Sequence, residues 1–282
     1  MRAGVFVGLA TLDVVHRVAR RPAADEKVTA LAQSVTAGGP AANAAVTYAA
    51  LGGTATLVTA LGRGPVARVV AEDLRAAGVE VLDVAPDDDR GPPVAAVTVL
   101  DGTGERSVAS VDAIATGFEP PSGLGPLVAG ADVVLVDGHH PTLARAACEA
   151  ARPAGVDVVV DAGRWKPVFA QVFPLATDVV CSPAFRLDDG SPAGPGLAPT
   201  VVVTAGGDPV RWWQGERAGA VVVPAVAVRD TLGAGDVFHG AYAFHRELDL
   251  EQRIRRSIAL AGERVQATGP QAWRDRLGRR RR

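Results

Sequence analysis

Short apolar runs alternate with amphipathic stretches along most of this chain. Residues 3–8 form an apolar run ending in glycine, and residues 26–36 alternate loosely, too polar for a core strand. Strand-sized runs follow at 53–61, 79–84, 94–100 and 105–111. The last two flank Asp101-Gly102-Thr103-Gly104, a strong hairpin signal. Helical patterns occupy 41–51 and 65–77. Beyond residue 132 the alternation becomes regular, with strands at 132–137, 156–161, 178–181 and 200–204 and helices at 141–152 and 166–175. That rhythm predicts a parallel sheet with covering helices. A second hairpin at 210–214 and 217–223, a further strand-like run at 221–228, and helices at 234–248 and 250–268 complete the chain.

The expected fold class is therefore α/β. A mostly parallel sheet between two helix layers makes the core, and a small antiparallel sheet is drawn from about 14–36 and 94–111. No repeat or long linker divides residues 1–282, so one domain is expected. One crossover is unusual. Residues 187–196 hold three glycines and two prolines, which predicts an irregular loop where a helix would be usual.

Composition narrows the function. The chain is 282 residues, 48% hydrophobic and 21% charged, enough for a large core. A net charge of -2 argues against nucleic acid as the main partner. The exception is the tail 274–282, whose six arginines read as a solvated terminus. Cys148 and Cys181 stand far apart in no metal-binding spacing, which suits a reducing cytoplasm. No signal peptide and no apolar run near about 18 residues is visible, so neither secretion nor membrane insertion is expected.

The chemistry concentrates in Asp230-Thr231-Leu232-Gly233-Ala234-Gly235-Asp236, placed between a strand-like run and a helix. Gly233 and Gly235 suit a sharp turn or a close ligand. Unpaired amides at the helix start make an anion site, and Asp236 lies beside them. Amides beside a carboxylate base are what phosphoryl transfer to an alcohol requires. A second turn, Gly38-Gly39-Pro40-Ala41-Ala42-Asn43, also opens a helix, and its small residues admit a ligand close to backbone. The first turn alone could equally be a capped helix start, and the second alone reads more readily as a tightly packed helix with Asn43 facing solvent.

Together these motifs resemble the two signatures of the ribokinase-like (PfkB) carbohydrate kinases. Further matches are Gly8 to Asp13, Gly104-Glu105-Arg106 in the hairpin, and Val203-Thr204-Ala205-Gly206-Gly207, so the resemblance spans nearly the whole chain. Thr231-Leu232 before the Gly-Ala-Gly-Asp looks most like the ketohexokinase and sulfofructose kinase branch. The resemblance implies a ribokinase-like core, a lid built from the small sheet, and dimerisation through that lid. It implies that Asp13, Gly38, Gly39 and Asn43 bind sugar hydroxyls, and that Asp236 is the catalytic base. Amides of Gly233, Ala234 and Gly235 would receive the phosphoryl group, while Thr204, Gly206 and Thr231 would line the ATP site with its Mg2+. Arg106 is a candidate contact for an anionic sugar substituent, with a solvated hairpin charge as the alternative.

Several positions depart from the family pattern. Ser182-Pro183-Ala184-Phe185 replaces an Asn-x-x-Glu associated with magnesium, Arg63 stands where Asp is usual, and His239 stands where Asn or a small residue is common. His239 and His245 read first as helix-surface or packing residues. His139-His140 and Asp161 sit at strand ends. A zinc-type cluster is conceivable there, but adjacent histidines on a strand end point apart, which favours one substrate-side contact. Asp161 with Arg164 and Lys166 could meet phosphates or form a surface ion cluster. A catalytically silent sugar- or nucleotide-binding regulator and a nucleoside kinase remain the competing readings.

Overall fold

The computed structural model describes residues 2–113, 117–269, 272–275 and 277. Its strands are β1 (Ala3–Val7), β2 (Thr11–Val18), β3 (Ala32–Gly38), β4 (Thr54–Thr59), β5 (Val79–Asp83), β6 (Val94–Leu100), β7 (Arg106–Ala109), β8 (Val133–Val136), β9 (Asp157–Ala162), β10 (Asp178–Cys181), β11 (Thr200–Val203), β12 (Val210–Gln214) and β13 (Arg217–Val221). The helices are α1 (Pro40–Ala50), α2 (Pro65–Ala76), α3 (Leu124–Ala129), α4 (Pro141–Ala154), α5 (Phe169–Val172), α6 (Ala234–Phe244) and α7 (Leu250–Val265).

Nine strands form the large sheet in the order β13-β12-β11-β10-β9-β8-β1-β4-β5. Pairing is parallel from β5 to β11 and antiparallel where β12 and β13 close the edge. Successive side chains of a strand point to opposite faces. In β1, Phe6 faces one core with α1, α2, α6 and α7, while Val5 and Val7 face the other with α3, α4 and α5. The result is three layers with the sheet in the middle. Trp212 and Trp213 divide between the same two faces.

The small sheet runs β3-β2-β6-β7. Its β2–β6 pair is parallel, so the sheet is mixed and not wholly antiparallel as the sequence suggested. Its inner face carries Val15, Ala95, Val97 and Val99, with Leu232 packed against them. The small sheet is thereby seated on the segment that leads into α6.

Other elements differ from expectation. The run 222–229 is not a strand, because β13 ends at Val221 and Val222, Val226 and Val228 are exposed beyond it. β-branched composition made the run look like a strand, but no neighbouring strand edge meets it. The strand expected at 26–36 begins only at Ala32, and Asp13, beyond the end of β1, lies inside β2 of the small sheet. Helix α3 has a Gly- and Pro-containing sequence that hid its pattern. The helix expected at 166–175 is one turn of α5 followed by a 3-10 turn, Phe173–Leu175. The β10–β11 crossover is irregular, as its composition predicts, with a single bridge between Arg186 and Pro192. The tail is less solvated than expected at its start, for Trp273 and Leu277 are buried against Val237 and Ala267. The rest of the arginine run, 276 and 278–282, lies outside the described residues.

Candidate active site

Parallel strands bring their C-terminal ends to one sheet edge, where ligands bind in such folds. Here that edge and the inner face of the small sheet enclose a cleft of about 440 Å³. Asp13, Gly39, Asn43, Arg106, Gly233, Gly235 and Asp236 all line it. Residues from four distant parts of the chain therefore share one cavity.

Asp236 lies in the first turn of α6, whose N-cap, Gly233, has φ 71°. First-turn amides have no carbonyl four residues back inside the helix, so those of Gly235 and Asp236 are available to an anion. The Ala234 amide is already engaged with the Thr231 carbonyl at 3.3 Å, which narrows the expected anion hole. Asn43 Nδ2 donates to Asp236 Oδ2 at 2.8 Å. Burial pushes the Asp236 carboxyl up, and the Asp161 carboxylate adds to this. Asn43, His239 and Arg106 oppose the shift, and the balance falls at about 7. A carboxyl poised there is suited to accept a proton at neutral pH.

On the opposite wall, Asp13 accepts from Thr11 Oγ1 at 2.6 Å and is raised by burial. Gly38 makes room for it, since a Cβ at Gly38 would lie 2.1 Å from Asp13 Oδ2. Asp137 holds the junction of three elements. Its carboxylate accepts from the amides of Leu9 at 2.9 Å, Ala41 at 3.2 Å and His139 at 2.9 Å. Burial alone would raise Asp137, but His139 and Lys166 reverse this, and it stays well below the usual carboxylate range. Asp137 thus pins the start of α1 to the ends of β1 and β8. Its signal in the sequence was only its place at a strand end, beside the two histidines.

Those histidines do separate, in the bend between β8 and α4, where His140 is the N-cap of α4. His139 Nδ1 faces Asp137 Oδ1 at 3.1 Å, while buried His140 meets the Phe118 ring. His239 departs from a surface reading. It is buried, with Nε2 3.3 Å from the Val180 carbonyl and Nδ1 3.4 Å from Asp161 Oδ2. His245 is half-buried near Glu247.

Arg106 reaches from β7 to the Thr231 carbonyl at 2.8 Å and its Oγ1 at 3.2 Å. Thr231 also donates through its amide and hydroxyl to the Gly104 carbonyl. Its side chain is therefore committed to the hairpin and not free for nucleotide. Thr204 and Gly206 follow β11 on the same sheet edge but do not line the cleft. The Thr204 hydroxyl is turned to the Cys181 carbonyl at 3.1 Å.

Among the described residues, no group of three or more His, Cys, Asp or Glu side chains forms a metal centre. Ser182 donates to the Gly163 carbonyl and Phe185 is buried among aromatic rings, so neither supplies a carboxylate. Mg2+ keeps several waters and is commonly held by substrate phosphates. It is accordingly treated as part of the nucleotide substrate. No helix among the described residues is long and apolar enough to cross a membrane.

A three-layer α/β core, a small sheet over its ligand edge, and a half-buried carboxylate at a Gly-rich helix start define a sugar-kinase type of site. The family model for pfkB family carbohydrate kinases matches residues 1–182 and 187–276, and the chain belongs to that family. It is similar to a ribokinase of Bacillus subtilis (strain 168), 23% identical over 96% of this chain and 95% of the relative. An ATP-dependent ribose-1-phosphate kinase of Halopiger xanaduensis is 31% identical over 54% of this chain and 51% of its own length. The solved Arabidopsis thaliana ribokinase complexed with ribose and ATP shares the fold, with a TM-score of 0.77, 22% identity and coverage of 99% and 97%. These relatives are ribokinases and a sugar-phosphate kinase. The ketohexokinase branch suggested by Thr231-Leu232 is not among them.

Proposed function

We propose that this protein transfers the γ-phosphoryl group of MgATP to a primary hydroxyl of a small, ketohexose-like or modified sugar. The observation that carries this reading is Asp236, half-buried at the start of α6, hydrogen-bonded to Asn43 and balanced near neutral pH. Asp13, Asn43 and the backbone at Gly38 and Gly39 orient the sugar. Asp236 takes the proton as the hydroxyl oxygen attacks in line. Amides of Gly233 and Gly235, with the nucleotide's Mg2+, balance the charge that develops on the phosphoryl oxygens. The small sheet acts as a lid that excludes water, the competing acceptor. Thr204 and Gly206, at the end of β11, flank the route for ATP.

Phosphorylation of a panel of pentoses, ketohexoses, sugar acids and nucleosides with ATP and Mg2+ tests the assignment. Asp236→Asn lowers turnover by orders of magnitude with sugar affinity little changed. Near-wild-type turnover in that variant would remove Asp236 from the role of base. Absence of turnover with every acceptor would favour a silent binding protein.

The same reading includes a homodimer through the lid. Val35, Val14, Ala96 and Ala109 lie in register across its four strands on the face away from the cleft, and Val35 is 51% exposed. Light scattering on the purified protein, with Val35→Lys as the disrupting variant, tests this. We place the protein in the cytoplasm, since Cys148 and Cys181 are free and buried.

A further inference from the structure

The loop from Asp230 to Gly235 is held from two sides. From the small sheet, Arg106 donates to the Thr231 carbonyl at 2.8 Å. From the core, Arg264 in the last turn of α7 reaches Asp230. Both partners of this second contact are buried, with side chains 3% and 2% exposed. Arg264 Nη2 donates to Asp230 Oδ2 at 3.2 Å, and its Nη1 to the Ala267 carbonyl at 3.3 Å. The other contacts of the Asp230 carboxylate are to backbone. Oδ1 accepts from the Leu232 amide at 2.9 Å and Oδ2 from the Gly269 amide at 3.0 Å. The amides of Arg229 and Asp230 both donate to the Val265 carbonyl, at 2.7 and 3.1 Å. The entry to the loop is thus fastened to the end of α7 around one carboxylate. Behind the loop, Arg264 lines a small cavity of about 30 Å³ with Asn43, Leu232 and Gly233.

A guanidinium keeps its charge at neutral pH and presents its donors in a fixed fork. Without it, Asp230 would be a buried carboxylate with no counter-charge, which is strongly unfavourable. Asp230 would also add a negative charge beside the start of α6, where the phosphoryl oxygens gather charge during transfer. Arg264 removes both difficulties. Burial draws the Arg264 guanidinium below its ordinary range, while Asp230 and then Asp236 oppose this, so its charge is felt at the proposed base as well. The geometry is local. With Oδ2 held by Arg264 and Gly269, Oδ1 is aimed at the Leu232 amide, one residue before the left-handed Gly233 that caps α6. We propose that Arg264 is a positioning residue for phosphoryl transfer: it neutralises Asp230 and locks that carboxylate on the Leu232 amide, which holds Gly233–Gly235 in the shape that receives the phosphoryl group. Arg264 acts through Asp230 and touches no substrate. This inference rests on the sugar-kinase reading of the cleft.

The test has a kinetic readout and one independent of turnover. Arg264→Met is expected to lower kcat by about tenfold or more while KM for the sugar stays within about twofold, because Asp13 and Asn43 lie on other elements. The double variant Asp230→Asn with Arg264→Met removes the unpaired charge and should recover at least about threefold of that kcat. Arg264→Lys keeps the pair charged and so serves if Arg264→Met does not fold. It should still lower kcat by about threefold or more, since an ammonium cannot reproduce the fork. Hydrogen exchange of segment 231–238, read by mass spectrometry without substrate, should accelerate by about tenfold in the variants while the rest of the chain stays near wild type. A kcat within about twofold of wild type in every variant that folds would overturn the proposal and leave the kinase reading intact. So would a double variant whose loss is the product of the two single losses, or exchange that accelerates evenly along the chain. Acceleration confined to 231–238, in a protein that phosphorylates no sugar, would uphold the hold of Arg264 on the loop and overturn the kinase reading.

Discussion

The Asn43 side-chain amide donates to Asp236 Oδ2 at 2.8 Å across 193 residues of sequence. That bond joins the first turn of α1 to the first turn of α6, and so joins the proposed sugar wall to the proposed base. It also lowers the carboxyl's proton affinity against the larger effect of burial. Asn43→Ala is expected to move the acid limb of the kcat/KM profile to higher pH and to lower kcat at neutral pH by about tenfold or more. A pH–rate profile from about pH 5 to 9 checks both effects.

In the wild type, rate should rise with pH through a midpoint near 7, because the base must be ionised. Asp161 and His239 act on it with opposite signs. Asp161→Asn should shift that limb to lower pH, and His239→Asn should shift it to higher pH. Arg106 and Arg264 also act with Asp236 and are left in place in both variants. Shifts in the same direction would show that the pair does not tune the base.

Stability carries its own sign. The folded Asp236 binds its proton more tightly than the unfolded chain does, with its carboxyl at about 7 against 3.8. It therefore costs stability as pH rises through that window. Asp236→Asn removes this cost. Its Tm should exceed the wild-type value at pH 8, by about 2–4 °C for each kcal/mol recovered, and the gain should fade toward about pH 4. Calorimetry at the two pH values measures it.

The hairpin turn of the small sheet meets the transfer loop at Gly104. A Cβ there would stand 2.7 Å from the Arg229 carbonyl carbon and the Asp230 amide, in a backbone with φ of 69°. Gly104→Ala should push the hairpin away and break the Arg106 and Thr231 contacts. The expected result is a loss of kcat/KM of about tenfold or more, with a small loss of Tm. Steady-state kinetics beside a thermal melt separates the two.

At the opposite sheet edge, buried Asp178 accepts from Tyr242 at 2.7 Å, Arg246 at 2.7 Å and Arg253 at 2.5 Å. Burial alone would raise it, but the two guanidinium groups hold it below its ordinary range. Asp178→Ala leaves both cations without this partner and should cost about 3–5 kcal/mol in urea unfolding. The wild-type contribution should be present above the unfolded carboxylate range and lost as pH falls.

Periodicity and turn chemistry, read from the sequence alone, placed most core elements. The bounds of β6 and β10 coincide with their hydropathy runs, and α1 begins at the proline that follows Gly39. Local signals work there because period and backbone preference belong to a few adjacent residues. They failed at 222–229, where a valine-rich run has the composition of a strand but no strand edge to pair with.

The motifs also marked both turns as chemically important before any coordinates. What the tertiary structure decided is how the side chains meet. Asn43 bonds the carboxylate itself, Asp137 fastens three elements through backbone amides, and His239 turns inward to Asp161. Lys166 and Arg106, from distant segments, line one cleft. None of these relations has a sequence spacing to reveal it. They arise where parallel strands deliver distant segments to a common edge, and burial there sets which carboxyl holds its proton.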